Sequence, residues 1–98
     1  MLQNPQADQY TLDTLKANAD IIEEVTALIT YIGMIKPQTP GTDADKQAAP
    51  VWTIAKIEQS APDGTYPNTT TVKFADGIAA FNKVWNDRAG YNYTFKLI

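Results

Sequence analysis

The sequence contains no cysteine and no histidine in its 98 residues. Without cysteine there can be no disulfide, iron–sulfur cluster or thiolate zinc site. Without histidine the commonest general base and the commonest transition-metal ligand are both missing. Serine occurs once, at Ser60, with no histidine to activate it, which excludes triad-type nucleophilic catalysis. The five glycines never fall in a phosphate-cradling pattern. No apolar run approaches the ~20 residues a membrane helix needs, and no basic segment leads into one as in a secretory signal. Positive charge is also short, with eight Lys and Arg against eleven Asp and Glu and a net charge of −3. A nucleic-acid binder needs a basic footprint. The expectation is therefore no cofactor, no metal, no nucleic-acid partner and no membrane.

What remains suits one small domain. Domains this small gain stability from disulfides, metals or oligomerisation. With the first two removed, oligomerisation is the route left open. The charge is uneven. Residues 1–35 carry five acidic groups against Lys16, a net −4, while residues 36–98 carry seven basic and six acidic groups, a net +1. An acidic arm on a near-neutral body reflects either partner choice or a solvated helix face.

Residues 1–10, with Pro5 and several amides, read as an extended lead. From Thr11 to about Thr30 the spacing predicts an amphipathic helix capped by Thr11. Leu12, Leu15, Ala19, Ile22, Thr26 and Ile29 follow an alternating three–four spacing, and Ile21, Val25 and Leu28 widen the stripe. Two readings stay open: a helix lying on its own domain, or a short, three-stranded oligomeric bundle. On either, residues 1–35 form an arm and 36–98 a small β-rich domain.

Tyr31 to Ile35 reads as a strand, and residues 36–50, with three prolines, as a long surface loop. Val51 to Ser60 alternates as a strand with apolar groups on both faces. Residues 61–65 form a proline–glycine turn, and Thr70 to Ala75 is the antiparallel partner. Asp76 then caps a predicted helix from Ile78 to Arg88, with Ile78, Phe81 and Trp85 stacked on one side. Tyr91, Tyr93, Phe95 and Leu97 alternate inward along a last strand. The fold class predicted is α+β: an N-terminal amphipathic helix, then a small antiparallel sheet carrying one short helix.

Candidate chemistry is thin. Asp76 and Asp87 are the best placed carboxylates, but capping and surface pairing with Lys83 or Arg88 explain them. Asp43-Ala44-Asp45 matches only a fragment of a calcium loop. The aromatics fall at inward positions, so Trp52, Phe74, Phe81, Trp85 and Tyr93 are assigned to the core. Tyr10, Tyr31 and Tyr66 lie outside those patterns and suit an interface. Arg88 follows Trp85 by three and is read as a clamp lying against that ring.

Three blocks resemble a small module found in many tailed-bacteriophage proteins. The first two are Tyr31-Ile32-Gly33 with Pro40-Gly41-Thr42, and Val51-Trp52-Thr53-Ile54-Ala55-Lys56-Ile57. The third is Phe74-Ala75-Asp76-Gly77 followed by Phe81-Asn82-Lys83-Val84-Trp85-Asn86-Asp87-Arg88-Ala89 and a tyrosine-containing last strand. The match runs from Tyr31 onward, and its tryptophan–aspartate–arginine cluster is the most specific part. The resemblance implies a phage context and brings no catalytic residues.

The resulting expectation is a non-enzymatic structural protein of a tailed-phage virion, assembled in the bacterial host cytoplasm. It would be a multi-copy accessory of the capsid-decoration or head-fibre type. The alternatives are a tail or baseplate adaptor, or a module reading host-surface glycan. Its partners would be other capsid or tail proteins and copies of itself, with a trimer as one arrangement. The contacts would be made by Leu12, Leu15, Ile22, Val25, Ile29 and Tyr31.

Overall fold

The structure, a computed structural model, describes residues 12–60 and 69–96. The extended lead over residues 1–10, the turn at 61–65 and Leu97 lie outside the described residues, as do Tyr10 and Tyr66. In chain order the elements are α1 (Leu12–Asn18), β1 (Ile21–Thr26), β2 (Ile29–Ile35), α2 (Asp43–Gln47) and β3 (Pro50–Gln59). They continue with β4 (Thr70–Ala75), β5 (Lys83–Val84), a 3-10 turn over Trp85–Gly90, and β6 (Tyr93–Thr94). The strands form one antiparallel sheet in the order β1-β2-β3-β4-β6, with β5 paired to the start of β3. The domain is thus mostly β with short helices, and α+β describes it only in the coarse sense.

The long N-terminal helix is the main correction. α1 stops at Asn18, and residues 21–35 form a β-hairpin. Eight of the fifteen residues from 21 to 35 are β-branched, which favours the pleated surface over the helix. Thr26 makes the turn, its Oγ1 accepting from the backbone N–H of Leu28 and of Ile29, both at 3.1 Å. Asp20 stitches the hairpin closed: its N–H donates to the Gly33 carbonyl and its Oδ2 accepts from the Ile35 N–H, both at 2.9 Å. The division at residue 35 is not a structural break either, because β2 pairs with β3 from Ile29↔Glu58 to Ile35↔Trp52.

β3 is the spine. One side pairs with β2. The other pairs first with β5 and then, from Ala55 to Gln59, with β4, as the predicted hairpin requires. Register separates two faces. Tyr31, Gly33 and Ile35 share one face with their partners Lys56, Ile54 and Trp52. Trp85, Tyr91 and Tyr93 pack there, making the aromatic face. Ile32 and Met34 point the other way with Ala55 and Ile57, and Leu15 and Ala19 of the α1 region cover them, making the helix face.

Two further segments depart from expectation. The loop from 36 to 50 contains α2, with a capping box in which Thr42 Oγ1 accepts from the Asp45 N–H and Asp45 Oδ2 from the Thr42 N–H. Asp43 and Asp45 therefore begin a helix. No helix spans Ile78 to Arg88. Asp76 and Gly77 make a left-handed turn, with φ of 55° and 70°, and β5 follows before the 3-10 turn. The i, i+3, i+7 stack fails with it: Trp85 is buried, whereas Phe81 is 44 % exposed.

Candidate interaction surface

The aromatic face is fixed by one arginine. Arg88 Nε donates to Glu23 Oε1 at 2.9 Å and Nη2 to Glu23 Oε2 at 2.6 Å, a two-pronged pair between the 3-10 turn and β1. Its Nη1 donates to the Trp85 carbonyl at 3.1 Å, and the guanidinium lies 4.7 Å from the Trp85 ring centre. The Tyr93 hydroxyl donates to the Arg88 carbonyl at 2.6 Å. The charge pair acts on its own titration: the hydrogen bonds from Arg88 hold the Glu23 carboxyl below its ordinary range, and Glu23 holds Arg88 above its own. Burial and the neighbouring Tyr31 push the Tyr93 phenol up. The predicted stacking of Arg88 on Trp85 is present. Its carboxylate partner is Glu23, not Asp76 or Asp87.

Glu23 was not readable from the sequence, because a helical reading places it toward solvent. Gly33 falls within the strand expected over Tyr31 to Ile35 and sits in the middle of β2, but strand alternation gives no sign of what packs on it. A Cβ there would lie 2.7 Å from Trp85 Cε3 and Cζ3 and from Ile21 Cγ2. The missing side chain is the seat of the indole. Trp85 in turn meets Trp52 at 5.8 Å between ring centres.

Lys83 is a second concealed charge, buried beside Asp76 Oδ2 at 3.5 Å and Asn82 Oδ1 at 3.0 Å, with the Tyr91 ring 5.8 Å away. The Tyr91 hydroxyl accepts from the Val84 N–H at 2.9 Å. The Asp76 carboxylate therefore pairs with Lys83 where a helix cap was expected. Of the assigned core residues, Trp52, Phe74 and Trp85 are buried, Arg88 and Tyr93 are half-buried, and Phe81 is a surface residue.

The expected contact residues do not form one seam. Leu15 and Tyr31 are buried in this chain's own two clusters, and Ile29 packs partly buried against the aromatic one. The side chain of Leu12 lies outside the described residues. Ile22 and Val25 remain, 43 % and 52 % exposed on β1, the first strand of the sheet. At the opposite edge, Phe95 just beyond β6 is 61 % exposed, with Lys73 Nζ 5.3 Å from its ring.

The surface also has clefts. One of about 380 Å³ lies between α2 and the sheet, lined by Asp20, Ile35, Asp43, Lys46, Gln47 and Trp52. Trp52 offers it no stacking face, being 4 % exposed with its indole N–H donating to the Lys46 carbonyl at 2.7 Å. A second, of about 200 Å³, opens on the helix face between Leu15, Met34, Phe74 and Phe81. Among the described residues no group of three or more Asp and Glu is placed to hold a metal ion, and no helix is long and apolar enough to cross a membrane.

Compared with protein-family models, with curated proteins and with solved structures, the chain finds no match.

Proposed function

We propose that this chain is a non-enzymatic, multi-copy accessory protein of a tailed-phage virion, of the capsid-decoration or head-fibre type, which binds other virion proteins. The phage context rests on the sequence resemblance that begins at Tyr31. The observation that carries a binding role is the pair of exposed apolar edges. Ile22 and Val25 stand on β1 and Phe95 stands past β6, each beside charged neighbours, at opposite ends of the sheet order. Apolar side chains bordered by charge are the composition of a protein contact. The tight Trp85–Glu23–Arg88 lock supports the same role, because a particle component must present its edges in one fixed geometry.

The test is compositional. Particles of the phage that encodes this chain are purified through a density gradient and their proteins counted by quantitative mass spectrometry. A fixed, multi-copy ratio to the major capsid protein is the expected result. Depletion of the chain from purified particles while it is abundant in the lysate would sink the proposal. Labelling the chain in electron micrographs then separates head from tail placement.

A further inference from the structure

We infer that Lys56, Lys73 and Phe95, side by side on the aromatic face, form a docking surface for an acidic segment of a partner protein. A carboxylate of the partner sits between the two ammonium groups, and an apolar side chain of the same segment covers Phe95. The inference rests on the binding role proposed above and names one contact and the chemistry of its partner. The strands bring the three residues together. Tyr31 pairs with Lys56 and Lys56 with Lys73, so these side chains stand in one cross-strand row. β6 sets Thr94 opposite Phe74, which puts Phe95 beside Lys73 on the same face, and Lys73 Nζ lies 5.3 Å from its ring centre. Lys56 Nζ lies 5.9 Å from the Tyr31 ring centre and 5.6 Å from that of Tyr93. Phe95 is 61 % exposed.

Like charges directly opposite on neighbouring strands are destabilising. The chain has eleven carboxylates with which to offset them. Glu58 lies 3.5 Å from Lys56 Nζ, yet among the described residues no carboxylate lies within 4.0 Å of Lys73 Nζ. Glu23, at the far end of the same row, is taken up by Arg88. The rings hold the ammonium groups in place without neutralising them, because a cation over an aromatic face keeps its charge. The row thus carries one positive charge that its surroundings do not offset, next to an exposed phenyl ring. One external carboxylate supplies the missing charge, and an apolar neighbour in the same segment buries the ring. A nucleic acid fits less well, since two lysines are a narrow footprint and a net charge of −3 repels a polyanion.

The experiment titrates the full-length chain with a blocked tripeptide, Glu-Leu-Glu, and with its neutral counterpart, Gln-Leu-Gln, while amide shifts are followed by NMR. The acidic peptide alone should move the signals of Lys56, Lys73 and Phe95, and its binding should weaken as salt is added. Lys73→Gln should weaken binding about fivefold, the equivalent of one exposed ion pair, and Phe95→Ala should weaken it as well. The same Lys73→Gln should raise the denaturant midpoint, because it removes a like charge from opposite Lys56. Lost binding with gained stability separates a docking lysine from a structural one. An equal response to both peptides, unchanged binding by Lys73→Gln, or a lowered midpoint overturns the inference. So does a thymidine oligonucleotide that binds the row more tightly than the peptide, which would assign it to nucleic acid. Self-association in light scattering that Lys73→Gln abolishes would assign the row to a second copy and overturn it too. The particle count described above is read independently. A chain abundant in virions whose lysines ignore the peptide keeps the virion role and loses this surface. A chain that binds the peptide yet is absent from virions keeps the surface and loses the virion role.

Discussion

On the aromatic face, Trp85 lies on a bare glycine and is held there by Arg88, which is tied in turn to Glu23, Tyr93 and the Trp85 backbone. On the helix face, Leu15 packs on Ile32 and Ile57, and a cleft of about 200 Å³ opens beside it. One sheet thus carries two kinds of closure. The first depends on shape and direction: the ring, the fork and the hydroxyl each fit one arrangement. The second depends on apolar contact with room left over. Specific geometry on one side of β3 is enough to fix the strand, so the other side can be closed more loosely.

Truncation of each face should expose the difference. Trp85→Ala removes a buried ring and the platform of Arg88, and we expect a loss of about 3–5 kcal/mol. Leu15→Ala opens space next to an existing cleft into which α1 can settle, so its loss should fall near the lower end for a buried leucine, about 2 kcal/mol. Denaturant midpoints of the two variants measure the gap. Equal losses would mean that the helix face is packed as tightly as the aromatic one, and the contrast would fail.

A gain of one carbon tests the same face from the opposite direction. In Gly33→Ala the new Cβ meets Trp85 and Ile21 at 2.7 Å, so the indole or the backbone of β2 must move, at a cost of about 1–3 kcal/mol. Gly90→Ala is the control, since nothing lies within 4 Å of its new Cβ, and it should change stability by less than about 0.5 kcal/mol. A lowered thermal midpoint for the first alone is the expected pattern. Similar midpoints for both would show that the Trp85 seat can adjust.

These contacts also mark how far the sequence could be read. β3, its hairpin partner β4 and the strand character of Tyr31 to Ile35 are legible, because alternation and β-branching agree there. Arg88 lying on Trp85 is legible from a spacing of three. Residues 19–30 are not. Ile21, Glu23 and Val25 alternate as a strand while Leu12, Leu15, Ala19 and Ile22 keep helical spacing, and the two patterns overlap. Pairing with β2, itself held by β3, decides for the strand, and that is a tertiary effect. The Glu23–Arg88 pair spans 65 positions and no local rule reaches it. Phe81 misled in the other direction: its spacing to Trp85 fits a helix that the pairing of β5 with β3 prevents. Ile22 and Val25, expected on a helical seam, stand exposed on β1 instead.

The smallest expected effect concerns the lock itself. Arg88 lowers the Glu23 pKa below its ordinary value of 4.5, chiefly through the hydrogen bonds; desolvation opposes them, and charge attraction adds the least. A carboxyl whose folded pKa is depressed adds stability that is fully present above the unfolded value and lost as pH falls through the folded one. The window therefore opens just below pH 4.5 and extends toward the lowered value. The Glu23 side chain is 40 % exposed, so solvent screening keeps the contribution to about 0.5–1 kcal/mol. Glu23→Gln retains the shape and removes the charge. Its stability should lie below the parent by that amount at neutral pH, and the two curves should converge on acidification as the parent carboxylate takes up its proton. Unfolding curves at neutral pH and at about pH 2 decide the matter. A gap that persists unchanged in acid would assign the contact to shape and neutral hydrogen bonding.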